Sequence, residues 1–421
     1  MTDYYRIPAT SGGSVTTSVN GTKYYPCFQG DSLSATSTEA NVQVKHQIET
    51  KFKNLRAYVS TNNAGVTSTI KLRINGADGS NSVSISAGAT GWFEDTTNTD
   101  TISAGDKVNF SFSKSDANSM VIKNITVDCL ATSAYQKGGF YAAGNNLSTA
   151  STAYYFPFGG SVNSTTEGIA QKRRIRSSCT GKNLQVYVSA NARSTTTTVR
   201  SRVNGADGNQ VISISAGATG WFEDTTNTDT LVQDDDYNAS ITTGTGSGSF
   251  TVQTVSADIQ GTTSTSIATG PSGGTLSTNQ TRYWPGTGGM ADAAESNEAL
   301  ASIKFRGTGT ISKLAVGSAT NSSNQTTTYT ARNNASDQTP TCTIAASTTG
   351  FGSDNSNSFT YADGDLIAVK GVRASGGTGT ISTTWIAFEL SPDAESIGGG
   401  GGTFTPYYNL FLQNLGSGFN V

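Results

Sequence analysis

One stretch of this chain is written twice. Residues 75–101 read NGADGSNSVSISAGATGWFEDTTNTDT and residues 204–230 read NGADGNQVISISAGATGWFEDTTNTDT, with unbroken identity from Ser84–Thr101 against Ser213–Thr230. Self-similarity at a fixed period marks a repeated structural unit. The register extends outward, pairing Lys53-Asn54-Leu55 with Lys182-Asn183-Leu184, Tyr58 with Tyr187, and Tyr24-Tyr25 with Tyr154-Tyr155. A diverged third copy carries Tyr283-Trp284-Pro285 near its start, Lys313-Leu314 in its middle, and Thr349-Gly350-Phe351 where the others have Thr-Gly-Trp. The spacing of 129 to 130 residues is that of a domain, and 421 residues accommodate three of them. The expected organisation is 1–132, 137–262 and 267–392, then a glycine-rich linker 393–402 and an apolar arm 403–421.

Within each copy the apolar residues alternate, as in Thr69-Ile70-Lys71-Leu72-Arg73-Ile74 and Lys107-Val108-Asn109-Phe110-Ser111-Phe112. Period two over such short runs means half-buried antiparallel strands, and clusters such as Asn75-Gly76-Ala77-Asp78 supply the turns. About eight strands per copy imply an all-β chain of three tandem β-sandwich, jelly-roll-like domains.

The charge balance of 27 basic against 30 acidic residues carries no nucleic-acid footprint. No run of apolar residues is long enough to span a membrane, and the start lacks the pattern of a signal peptide. Cys27, Cys129, Cys179 and Cys342 sit at unrelated places in the copies and read as unbridged thiols, Cys27 with Cys129 being the one pairing to check. The single histidine, His46, has no histidine counterpart in the other copies and no nucleophile motif beside it. Glu94-Asp95 and Glu223-Asp224 suggest a carboxylate pair, but neighbours on a strand face opposite ways and cannot flank one bond. The loop from Asp95 through Asn98 to Asp100 offers oxygen ligands to a cation, yet reads better as an Asx-turn. No catalytic, metal or cofactor residue is assigned, and the chain is expected not to be an enzyme.

Three structural sets are expected instead. Arg73, Arg202 and Arg332 recur just ahead of turns holding Asp78, Asp207 and Asp337, and Asp95, Asp224 and Asp354 recur further on. Each Arg is expected to grip one of its two repeat-mate carboxylates with both prongs of its guanidinium. Tyr58, Tyr187, Trp92, Trp221 and Phe351 are expected in the cores as bulky aromatic plugs. The arm carries Phe404, Tyr407, Tyr408, Leu410, Phe411, Leu412, Leu415 and Phe419 without a charge, behind the five glycines Gly398–Gly402. Such a segment is expected to dock on another polypeptide, by adding a strand to a sheet edge.

With tandem jelly-roll-like copies, the Thr-Gly-Trp/Phe and Ala-Gly-Asp signatures, and a short terminal anchor, residues 5 to about 390 resemble the virion structural proteins of tailed bacteriophages. The resemblance implies a head decoration protein, head fibre or tail-associated fibre acting in assembly or host attachment. It implies partners that are copies of the chain itself, a trimer among the options, and other virion proteins. It places the protein in the virion, after synthesis in the host cytoplasm. The competing expectation is a surface adhesin that binds a host glycan, using loop-tip aromatics such as Trp92, Trp221, Trp284 and Trp385.

Overall fold

The computed structural model describes residues 3–17, 20–27, 36–158, 163–269, 274–286 and 294–396. The arm 403–421, with its eight apolar residues, lies outside the described residues. Strands account for almost all regular structure, and the one α-helix among the described residues is Glu298–Ala301.

The first domain has eight main strands: β1 Asp3–Thr17, β2 Gly21–Tyr25, β3 Thr50–Asn62, β4 Ser68–Ile74, β5 Ala77–Ile85, β6 Gly91–Ile102, β7 Lys107–Lys114 and β8 Met120–Ala131. They pair antiparallel in two sheets ordered β1-β8-β3-β6 and β2-β7-β4-β5. That order, with successive strands alternating between sheets except for the β4–β5 hairpin, is a jelly roll. The second domain repeats it with β9 Tyr135–Asn146, β10 Ala153–Pro157, β11 Cys179–Asn191, β12 Thr197–Val203, β13 Ala206–Ile214, β14 Gly220–Leu231, β15 Asp236–Thr242 and β16 Phe250–Gln260. The third uses β17 Thr265–Thr269, β18 Thr281–Pro285, β19 Gly309–Ser318, β20 Thr327–Asn333, β21 Ser336–Ile344, β22 Gly350–Ser353, β23 Ser358–Tyr361, β24 Leu366–Arg373 and β25 Trp385–Pro392. There the single edge strand of the other domains is split into β22 and β23, both paired with β19.

Alternation places Ile70 and Leu72 of β4, and Val108, Phe110 and Phe112 of β7, in the space between the sheets. Each domain has its own apolar cluster of this kind. All four cysteines are buried free thiols. The turn Asn75-Gly76 has φ of 52° and 83°, and Asn204-Gly205 has 51° and 79°, the two positive angles that a tight two-residue hairpin needs. In β3, β11 and β19 a left-handed residue, Asn54, Asn183 or Lys313, with φ near 55°, 54° and 54°, makes a bulge. The bulge resets the alternation, so that Leu55, Ala57 and Val59 face the core.

The copies correspond slightly differently from the register expected at their starts. Tyr24-Tyr25-Pro26 matches Tyr155-Phe156-Pro157 and Tyr283-Trp284-Pro285, because Tyr24, Tyr155 and Tyr283 each bridge the segment that follows. Their neighbours Tyr25, Phe156 and Trp284 fill the cores.

The connections between domains are short, and they bond to each other. Ala134 N–H donates to the Thr262 carbonyl at 3.1 Å, and Gly261 N–H donates to the Ala134 carbonyl at 2.8 Å. After β25 a last strand, β26 Glu395–Ser396, returns to the first domain and pairs antiparallel with Asp3 and Tyr4 of β1. Lys53 binds Glu395 at 3.1 Å beside it.

Candidate functional site: the joints of a three-domain ring

The recurring arginines anchor a four-residue cluster in each domain. Arg73 donates from Nε to Glu39 Oε1 at 2.9 Å and from a terminal nitrogen to Glu39 Oε2 at 3.1 Å, while its other terminal nitrogen bonds Asp78. Arg332 grips Glu298 in the same way, at 2.9 and 2.7 Å, and bonds Asp337. Arg202 takes Glu167 at 3.5 and 2.7 Å and bonds Asp207. A tyrosine, Tyr24, Tyr155 or Tyr283, lies under each guanidinium with centroid distances of 5.8, 5.5 and 6.0 Å. The two-pronged partner is therefore a glutamate from the segment between β2 and β3, or from its counterpart in the other domains, and the bond to Asp78, Asp207 or Asp337 is a single one. The signal was present in the sequence, since each Glu precedes its Arg by 34 or 35 residues in all three copies.

Asp95, Asp224 and Asp354 are not partners of these arginines. Asp95 accepts from Thr97 and Asn98 N–H and from the Asn98 amide, and also from Ser82 N–H on the edge of β5 at 2.9 Å. Asp224 bonds Val211 N–H, and Asp354 bonds Thr341 N–H, in the same positions. The aspartate is thus an Asx-turn that also caps an open strand edge. Burial opposes ionisation of Asp354, but the bonds from Asn357, Thr341 and Ser356 outweigh it and push its carboxyl down to about 2. Among the described residues no group of three or more His, Cys, Asp or Glu is placed to hold a metal ion.

The aromatic residues expected in the cores lie elsewhere. Tyr58 and Trp92 pair across β3 and β6 with ring centroids 5.3 Å apart, and Tyr187 and Trp221 do so at 5.2 Å. All four are half-buried, on the outer face of their sheet, because the bulge turns Arg56 and Tyr58 outward. In the third domain Gly317 stands where Tyr58 stands in the first, and Trp385 of the adjacent strand fills the vacated space. A Cβ on Gly317 would come within 2.5 Å of the Trp385 ring, which itself packs on Phe351 at 4.9 Å.

These outer faces are where the domains meet. Lys304 and Arg306 of the third domain both bond Glu94 of the first. Lys304 also lies 6.0 Å from the centre of the Trp92 ring, and the fully buried Arg56 donates to the Lys304 carbonyl at 2.7 Å. Lys123 of the first domain binds Glu295 of the third at 2.6 Å. In the same positions Lys45 of the first domain binds Glu223 of the second at 2.8 and 3.0 Å, joined by Gln47. Arg174 of the second stacks 4.3 Å from the centre of Phe351 in the third. Arg176 beside it bonds Asn355 and donates to the Lys313 carbonyl at 2.7 Å. The Trp385 indole N–H reaches the Ile169 carbonyl at 3.3 Å.

One contact is thus made three times, first domain onto second, second onto third, third onto first. A head-to-tail contact that returns to its start closes a ring around an approximate three-fold axis. At Glu94 burial resists ionisation, but the hydrogen bonds from Lys304 and Arg306 hold its carboxyl below the usual range.

No family model matches the sequence, and no curated protein matches it. Among solved structures, a chain in the atomic structure of Sulfolobus Turreted Icosahedral Virus is 12% identical and covers 82% of this chain and 80% of its own length, with a TM-score of 0.16. So low a score carries no argument about this chain.

Proposed function

We propose that this chain is a non-enzymatic structural protein of a bacteriophage virion, a capsid-decorating, fibre or tail-associated component that serves assembly or host attachment. The observation that carries the reading is the ring itself: three jelly rolls in one chain, joined in a cycle by a repeated contact. The polar groups that sequence offers for chemistry are engaged in building it. Glu94 is held by two cations from another domain, Asp95 caps backbone N–H groups, and His46 is buried against the rings of Phe52 and Tyr135. Of the four tryptophans considered for sugar stacking, Trp284 is committed to a core and Trp92 and Trp385 to joints, and Trp221 stacks on Tyr187 of its own domain. The test is mass spectrometry and image reconstruction of purified particles with and without this gene. Loss of one ordered three-lobed density on deletion is expected. Absence of the protein from intact particles refutes the reading, and absence together with tight binding of the pure protein on a glycan array favours the adhesin.

A further inference from the structure

Ring closure consumes both halves of the repeated contact in every domain. The segments around Lys45, Arg174 and Lys304 each rest on a neighbour's outer sheet face. A contact that could have joined three chains is therefore spent within one.

The ring also has two unlike ends. Strands run alternately up and down, so β1, β9 and β17 begin where β8, β16 and β25 finish, and both linkers lie at that end. The turns there are built alike in all three domains: Asn75 donates to Asp106, Asn204 to Asp235 and Asn334 to Asp365, each at 2.7 Å. At the opposite end the loops have diverged. The first domain fastens its loop with Lys114 on Asp116, the second with Arg193 on the Gly246 carbonyl, and the third with Arg373 on the Thr378 and Gly379 carbonyls. The chain leaves from the linker end as well. β26 is antiparallel to β1 with Ser396 opposite Asp3, so Ser396, the last described residue, lies at the start of β1.

We propose that a single chain fills a position of three-fold symmetry on a larger protein assembly, standing on its linker end, with residues 403–421 as its one tether into a partner protein. The proposal rests on the virion reading above. Three like turns meet three symmetry-related partner subunits, so that weak contacts add as avidity. The uncharged, aromatic tether adds to a sheet edge or fills an apolar groove of one of them.

Light scattering of the purified full chain is the first test: the mass of one chain, 43.5 kDa, is expected, and a mass of three chains overturns the proposal. The native cysteines are all buried, so Ala104→Cys at the linker end and Ala117→Cys at the opposite end can each carry a bulky maleimide. Each labelled protein, and the chain ending at Ser396, is mixed with particles from a virus lacking the gene and sedimented. The linker-end label and the truncation are expected to cut the bound protein at least tenfold, and the opposite-end label to leave it unchanged. The reverse label pattern, or full binding by the truncated chain, overturns the proposal. Mass spectrometry of wild-type particles is a separate readout. Absence of the chain there sinks the virion reading, whereas presence with the wrong label pattern sinks only the orientation.

Discussion

Two of the three joints are spanned by the chain itself, across the connections after Ala131 and Gln260, whereas the joint from the third domain to the first is held by contacts. This seam is where the ring can open, and Glu94 is its bolt. Its side chain is 13% exposed, and those of Lys304 and Arg306 are 23% and 18% exposed. An exposed ion pair contributes about 0–1 kcal/mol and breaking a buried one costs about 3–5 kcal/mol. Glu94→Gln, which keeps the shape and removes the charge opposite two cations, therefore costs about 2–3 kcal/mol. At about 1.4 kcal/mol per decade that is a roughly 30- to 140-fold increase in the opening constant. Hydrogen exchange read by mass spectrometry measures it directly, as faster exchange in the β1–β26 pair and in Ile303–Lys304. Glu223→Gln is the control, because Glu223 is 30% exposed, faces the single cation Lys45 and sits at a joint the chain already spans. Its effect is expected to be only a few-fold. Acid should imitate the Glu94 change: a carboxyl whose folded value is depressed stabilises above its unfolded value and loses that contribution as pH falls through the folded one. Wild-type exchange rates in Glu94→Gln, or an equal effect of Glu223→Gln, would refute this account of the seam.

Three other outcomes are expected. Arg73→Ala removes a two-pronged bond from a side chain that is 15% exposed and should cost about 2–3 kcal/mol in denaturant unfolding, against less than about 1 kcal/mol for Asp78→Ala, whose own side chain is 45% exposed. Equal losses would show that Glu39 is not the main partner. Ala335→Gly should raise the free energy of unfolding by about 0.5–1 kcal/mol, because Ala335 holds φ of 62° where the other copies have glycine, and an unchanged or lowered unfolding midpoint contradicts this. The stability supplied by Asp354 is complete above the ordinary carboxyl value near 3.9 and is lost as pH falls towards about 2. Asp354→Asn should accordingly flatten stability against pH in that window, and a slope identical to wild type removes the proposed role.

The sandwich was legible because its signals are local. Ile70 alternates with Leu72, and Asn75-Gly76 closes the hairpin, within a few residues of chain. The joints were not, because they bring together residues 178 and 210 positions apart, as Lys45 with Glu223 and Lys304 with Glu94. Tyr58 and Trp92 show the limit most clearly. Alternation gives a strand two faces without saying which is covered by its own domain, and a large aromatic is needed equally at a core or at an interface. Only the left-handed bulge at Asn54, one residue before Leu55, decides that Ala57 goes in and Tyr58 goes out. The partner of Arg73 was missed for a related reason. A hairpin neighbour such as Asp78 is close in sequence, whereas Glu39 reaches the guanidinium only after the chain has crossed from one sheet to the other and back.

Placing three domains in one chain also accounts for how the third has diverged. In a trimer of identical chains every chain carries the same two halves of the head-to-tail contact, so any change appears at all three joints at once. Within one chain each joint can have its own chemistry. Serine at position 353 leaves the third domain without the carboxylate that Glu94 and Glu223 supply, and among the described residues Arg174 has no ion pair across that joint. The guanidinium instead stacks on Phe351, and its charge is met inside its own domain by Asp236 at 2.9 Å. Turned onto the first domain, where Glu94 stands, the same surface is cationic, with Lys304 and Arg306. The third domain is therefore complementary to the second on one side and to the first on the other. It carries no carboxylate for Lys45 at the position of Ser353, so exchanging it with the second domain would leave that lysine without an acid across the joint. Unlike joints specify the order of the domains around the ring, and they do so by withholding partners from the wrong arrangement as much as by supplying them to the right one.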